Sequence, residues 1–178
     1  MVSVTQALQP FADFSRVPPD VLEEAKLRGS MAHDLFAAHA LCLWVPSVPE
    51  NCIGYFDSFR RWFDSTVVRV VAVEKRMVHP VYNYTGQLDL LCGIKGDEGD
   101  TLLDHKTPIA LYKAWALQCA AYKGVADLEY PNIKRTGSLR LSQAGKAAKF
   151  NEYSSNWATD FQRFLCCLTA FHYFYRGK

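Results

Sequence analysis

Asp104 and Lys106 stand one residue apart in LLDHKT, residues 102–107, where two leucines run into an acid, a histidine and a base. In a strand, alternation sends Asp104 and Lys106 to one face and His105 to the other. Asp89, in GQLDLL at 86–91, lies 15 residues earlier. A hairpin turning through GDEGD at 96–100 brings it opposite or diagonal to Asp104. Two carboxylates held beside apolar strands repel, and one pKa rises unless a cation lies between them. A hard divalent ion meets that need: Mg²⁺ takes one or two carboxylates, keeps several waters and is completed by phosphate oxygens. Lys106 can then orient or help deprotonate a metal-bound water and stabilise the charge of an in-line attack on a phosphodiester. Taken alone, an Asp-x-Lys triplet is an ordinary surface ion pair worth little. Asp89, the apolar lead-in and the polar residues on flanking helices raise it above that.

Further residues fit the same chemistry. His33 follows Gly29 by four positions on a helical stretch, and an imidazole beside carboxylates is a ligand for Mn²⁺ and tolerable for Mg²⁺. The missing side chain of Gly29 is expected to let that helix approach a sheet or a phosphate closely. His39 and His79 read instead as surface or capped residues. Gln118 and Tyr122 are i and i+4, hence on one helical face, where an amide and a phenol can reach phosphates or stack on a base. Glu74, 15 residues ahead of Asp89, is a supporting residue or a ligand for a second cation. Arg28 is a candidate phosphate contact, and Arg60-Arg61, Lys134-Arg135 with Arg140, Lys146 and Lys149 can track a nucleic-acid backbone.

The elements that must position these residues follow from periodicity. Pro18-Pro19-Asp20 starts a long helix over about 19–44. SVPE at 47–50 has the form of a capping box, and CIGYFDSFRRWF continues as a second helix. TVVRVVAVE at 66–74 is a β-branched strand, and YTGQLDLLCGI at 84–94 pairs with TLLDHK at 101–106 as a hairpin. After Pro108, ALYKAWALQCAAYKGV is helical in period and is expected to end at Gly124. GSLRLS at 137–142 is a short strand, and WATDFQRFLCCLTAFHYFY closes as a helix. The order ααβββαβα gives an α/β sandwich around a small mixed sheet, in one domain over 1–178.

Composition sets bounds on this scheme. The chain has 178 residues, 49% of them hydrophobic and 21% charged, values of an ordinary folding domain. A net charge of +2 means that affinity for a polyanion must come from a local patch. The six cysteines are irregularly spaced with no CxxC pair, which implies free thiols packed as small hydrophobes in a reducing compartment. No secretory signal and no run of roughly 20 apolar residues is visible, so a cytoplasmic protein with no membrane partner is expected.

GQLDLL, LLDHKT and LQCAAYK at 117–123, preceded by G-x-x-x-H in RGSMAH, together resemble the PD-(D/E)xK nuclease superfamily in its RecB-like branch, which includes phage-type exonucleases and CRISPR-associated nucleases. The resemblance spans residues 28–123 and implies a restriction-endonuclease-like core. It implies that His33, Asp89, Asp104 and the backbone carbonyl of His105 hold Mg²⁺ or Mn²⁺ and that Lys106 is the catalytic lysine. It further implies that Gln118 and Tyr122 line the DNA path or support the site. Several members hold an iron–sulfur cluster through cysteines that this sequence lacks, so no cluster is expected. The motif G-x-x-x-x-G-K-[ST] of a helicase motor is absent as well. The chain thus resembles a minimal phage or prophage exonuclease acting in DNA recombination and repair beside a recombinase or single-strand annealing protein. The rival expectation is a catalytically silent DNA-binding module retaining the same fold.

Overall fold

The computed structural model describes residues 1–12, 17–45, 47–107 and 112–175. Among the described residues, six strands and five α-helices run β1 (Val2–Ser3), α1 (Val4–Leu8), α2 (Pro19–Ala40), α3 (Ile53–Thr66), β2 (Val67–Val78), β3 (Tyr84–Ile94), β4 (Asp100–Lys106), α4 (Ala114–Ala126), β5 (Ile133–Arg140), β6 (Lys149–Glu152) and α5 (Trp157–Tyr175). The β-branched run of β2 pairs antiparallel along the whole of β3, from Val67 opposite Ile94 to Val78 opposite Thr85. Since β2 occupies one edge of β3, β1 and β4 must share the other. β1 pairs parallel at Tyr84 and Thr85, and β4 pairs antiparallel from Leu90 opposite Leu103 to Gly93 opposite Asp100. Between these two pairings, residues 86–88 of β3 pair with β2 alone, and Asp89 has no strand partner in the register. The sheet therefore forks there, with β4 departing to pair parallel with β5, and β5 antiparallel with β6.

Helices cover both faces of this mixed, open sheet, which makes the protein α/β. One layer sets Leu88, Leu91 and Leu102 against α1, α4 and α5, and the other sets Leu90, Leu103 and Leu139 against α2 and α3. Leu88 and Leu90 are two residues apart yet lie in opposite layers, as do Val73 and Met77, four apart. Strict alternation would keep each pair on one face, so the pleat is broken on both strands at the fork. Glu74, between the β2 partners of Leu90 and Leu88, has φ +47, the left-handed region that a side-chain-bearing residue seldom adopts. Phe36 of α2 is fully buried, stacks on Phe59 at 4.7 Å and meets the His105 ring edge-on at 5.3 Å. Phe36→Ala is expected to cost about 3–5 kcal/mol of stability, read from the midpoint of urea unfolding.

Several boundaries differ from those the sequence predicts. The long helix stops at Ala40 rather than 44, because Cys42 turns left-handed at φ +55 and the Cys42 and Leu43 amides bond back to His39 and Ala38. This is a Schellman closure built on cysteine instead of glycine. The SVPE box does not cap a helix. Pro49 holds an extended conformation, Glu50–Cys52 forms a 3-10 turn, and α3 starts at Ile53 with no side-chain cap. Gly124 is not a helix end either, since α4 runs on to Ala126. A Cβ on Gly124 would come within 2.6 Å of the Phe161 ring, so the glycine serves the close packing of α4 on α5. Pro108 to Leu111, where the predicted helix was to start, lie outside the described residues. The predicted order lacked β1, α1 and β6. Cys52, Cys92 and Cys119 are buried as predicted, whereas Cys42 and Cys166 are exposed. No helix among the described residues is long and apolar enough to cross a membrane.

Candidate active site

The fork leaves the His105 N–H without a strand partner on β3, and a side chain takes that role. Asp89 Oδ2 accepts this amide at 2.5 Å, which ties the first residue past the ladder on β3 to β4. Asp89 and Asp104 are 6% and 2% exposed, and both line a cavity of about 660 Å³ set in the fork. His33 enters from α2, with Nδ1 at 3.5 Å from Asp89 Oδ1 and 3.6 Å from Glu74 Oε1. Glu74 is held in turn by Gln87, whose carbonyl oxygen accepts from Arg76 Nε at 2.9 Å. Lys106 Nζ lies 2.7 Å from Asp104 Oδ2 and donates to Gln118 Oε1 at 3.0 Å; Gln118 Nε2 donates to the Tyr122 hydroxyl at 2.8 Å. The Asp104–Lys106 approach is an ion pair rather than an aligned hydrogen bond, so Asp104 Oδ2 keeps unused acceptor capacity.

Charge is distributed unevenly across this cluster. Burial favours neutral forms throughout, but Asp89 and Glu74 overcome it at His33 and hold the imidazole protonated far above its usual range. Asp89 is likewise buried, and His33, His105 and Lys106 draw its carboxyl below the usual carboxylate range. Burial pushes Asp104 up to about 6, partly opposed by Lys106 and reinforced by Asp89. Burial would lower Lys106, but Asp104 and Asp89 keep its ammonium charged. The His105 imidazole is driven down to about 3 by burial and stays neutral.

These shifts set a pH dependence for the metal-free protein. Below pH 6.5 the unfolded chain protonates His105 and the folded chain does not, so that group destabilises the fold on acidification. Asp104, whose ordinary value is 3.8, has the opposite sign between pH 6 and 3.8, because the folded form takes up the proton first. The two largely cancel in the wild type. In Asp104→Asn that offset is removed, and stability relative to the wild type is expected to fall as pH drops from 6 to 4, approaching about 1.4 kcal/mol per pH unit. Urea midpoints in chelator-treated buffer measure this.

Of the residues singled out by sequence, His33, Glu74, Asp89, Asp104, Lys106, Gln118 and Tyr122 all border the one cavity. Arg28 does not: its guanidinium lies over the Tyr55 ring at 5.8 Å. Gly29 makes no close approach, since a Cβ there meets nothing within 4 Å. His39 bonds to Asp64 at 2.7 Å, and His79 is buried, its Nδ1 accepting two turn amides at 3.3 Å. Among the basic residues, Arg135 is engaged by Asp97 and Glu152, and Arg60 by Asp57. Sequence reasoning missed Ser3 and Thr5, which form a wall of the cavity and carry no motif. It also missed Gln87, which alternation could have placed on the face of Asp89.

Among the described residues, the donor atoms that lie within 4.8 Å of one another belong to His33, Asp89 and the side chain of His105. Asp104 is outside that group and turned to Lys106. No family model matches the chain, and no curated protein matches it in sequence.

Proposed function

We propose that the protein is a metal-dependent deoxyribonuclease with a restriction-endonuclease-like core, hydrolysing DNA phosphodiester bonds and acting as an exonuclease in phage or prophage DNA processing. One observation carries this reading: the Asp104–Lys106 pair, its carboxylate buried, and buried Asp89 of the neighbouring strand line one cavity at a sheet fork, with a helical histidine beside Asp89. The donor set of imidazole and carboxylates, with the spare acceptor on buried Asp104, suits Mn²⁺ or Mg²⁺. His33 and Asp89 would hold the ion, with Asp104 and the His105 carbonyl as the remaining oxygens the resemblance implies. Bound there, it would polarise a phosphoryl oxygen and acidify a water.

The chain's own groups supply the rest. Lys106 is cationic, so it stabilises the negative charge that builds on the phosphoryl oxygens and orients the attacking water, rather than removing its proton. Asp104 and Gln118 fix its ammonium from two sides, and Tyr122 holds Gln118. A module that only binds DNA needs no such fixed ammonium. The test is digestion of end-labelled linear and covalently closed circular DNA, single- and double-stranded, with Mg²⁺ or Mn²⁺. Cleavage confined to the linear substrates is expected. Cutting of circles overturns the exonuclease assignment, and binding without cleavage of any substrate overturns the enzymatic one.

A further inference from the structure

His105 is the residue whose side chain this reading leaves idle, since only its main-chain carbonyl has been given work. Its side chain is 3% exposed, and neither ring nitrogen has a hydrogen-bond partner. Two unpaired buried nitrogens are costly in a packed interior and call for an explanation. The ring stands against Phe36 and Phe59, and edge-on to the His33 ring at a centroid distance of 5.7 Å. Its Nδ1 lies 4.0 Å from Asp89 Oδ2, while His33 Nδ1 lies 3.5 Å from Asp89 Oδ1. Donor atoms around a divalent ion with bonds of about 2.1 Å sit roughly 3 to 4 Å apart, so these spacings already approach a coordination shell.

We infer that the His105 imidazole is a metal ligand, and that His33, Asp89 and His105 form a two-nitrogen, one-carboxylate site selecting Mn²⁺ or a later first-row divalent ion over Mg²⁺. The break in the pleat at Asp89 makes this possible. Alternation directs His105 to the α2/α3 layer, away from Asp104, and His33 arrives from α2 in that same layer. Asp89, at the fork, is reached from both. Two imidazoles disfavour Mg²⁺, which prefers oxygen donors and water, and favour Mn²⁺, Co²⁺ or Zn²⁺. Asp104 holds Lys106 and can add only an oxygen donor, which leaves the count of imidazoles unchanged.

The inference rests on the proposed nuclease reading for its role in catalysis, but metal binding tests it separately. Calorimetric titration of the intact chain with Mn²⁺, Co²⁺ and Mg²⁺ should give Mg²⁺ the weakest affinity by about 100-fold or more. Pulsed EPR of bound Mn²⁺ should show two imidazole nitrogens in the wild type and one in His105→Leu. His105→Leu should weaken Mn²⁺ binding on the order of 100-fold, at least the loss typical of removing an outer-shell partner. Asp104→Asn should keep both nitrogens. A single imidazole in the wild-type spectrum, or Mg²⁺ bound as tightly as Mn²⁺, overturns the inference even if His105→Leu fails to fold. Two imidazoles without DNA cleavage would support it and sink the nuclease reading alone; Mg²⁺-supported cleavage with one imidazole would do the reverse.

Discussion

Lys106→Ala is expected to slow DNA cleavage by about 10²–10³-fold, the usual loss on removing one preorganised charge donor from a transition state. Metal binding should survive, because the lysine touches Asp104 and Gln118 and none of the His33, Asp89 and His105 donor atoms. The rate and the Mn²⁺ affinity therefore separate in this variant. Lys106→Arg should rescue little, since the ammonium is seated between a carboxylate and an amide oxygen, 5.7 Å from the Trp115 ring, in a space shaped for a point charge. Single-turnover rates with calorimetric Mn²⁺ affinities decide the matter. Full cleavage by Lys106→Ala would remove the lysine from the chemistry.

Asp89→Ala is expected to produce the largest loss of stability at the site, about 3–5 kcal/mol, because it removes one partner of a buried charge pair and leaves the other in place. Three things fail together. The His105 N–H loses its acceptor, the protonated His33 keeps only Glu74, and the donor cluster loses its carboxylate. Asp89→Asn retains an acceptor for the amide, so it should recover part of the stability and none of the Mn²⁺-induced rise in melting temperature. Thermal melts with and without Mn²⁺ distinguish the two effects.

How much of this was legible in the sequence depended on whether local pattern or distant pairing decides the outcome. The arm Tyr84–Ile94 and the strand ending at Lys106 were readable because alternation and β-branching act within a few residues. Two-residue β1 was not, since it is a strand only through its bonds to Tyr84 and Thr85, far along the chain. Helix α2 overran in the prediction because a cysteine at positive φ carries no composition cue where glycine would. At the site, Asp89, Asp104 and Lys106 were legible from spacing on two strands. Alternation gave the face of His105, but the engagement of Glu74 with His33 was not readable, because it follows from a pleat break that no residue type announces. Arg28, expected at a phosphate from its place beside Gly29, stands outside the cavity with its guanidinium over the Tyr55 ring, a direction that a position on a helix does not announce.

The most direct measurement is Mn²⁺-dependent release of nucleotides from an end-labelled linear duplex by the purified wild-type chain, with Asp104→Ala prepared in parallel. Saturable, chelator-sensitive release by the wild type and none by Asp104→Ala is predicted. Equal release by both proteins, or none by either at any Mn²⁺ concentration, would contradict the assignment of the fork as a phosphodiester-cleaving site.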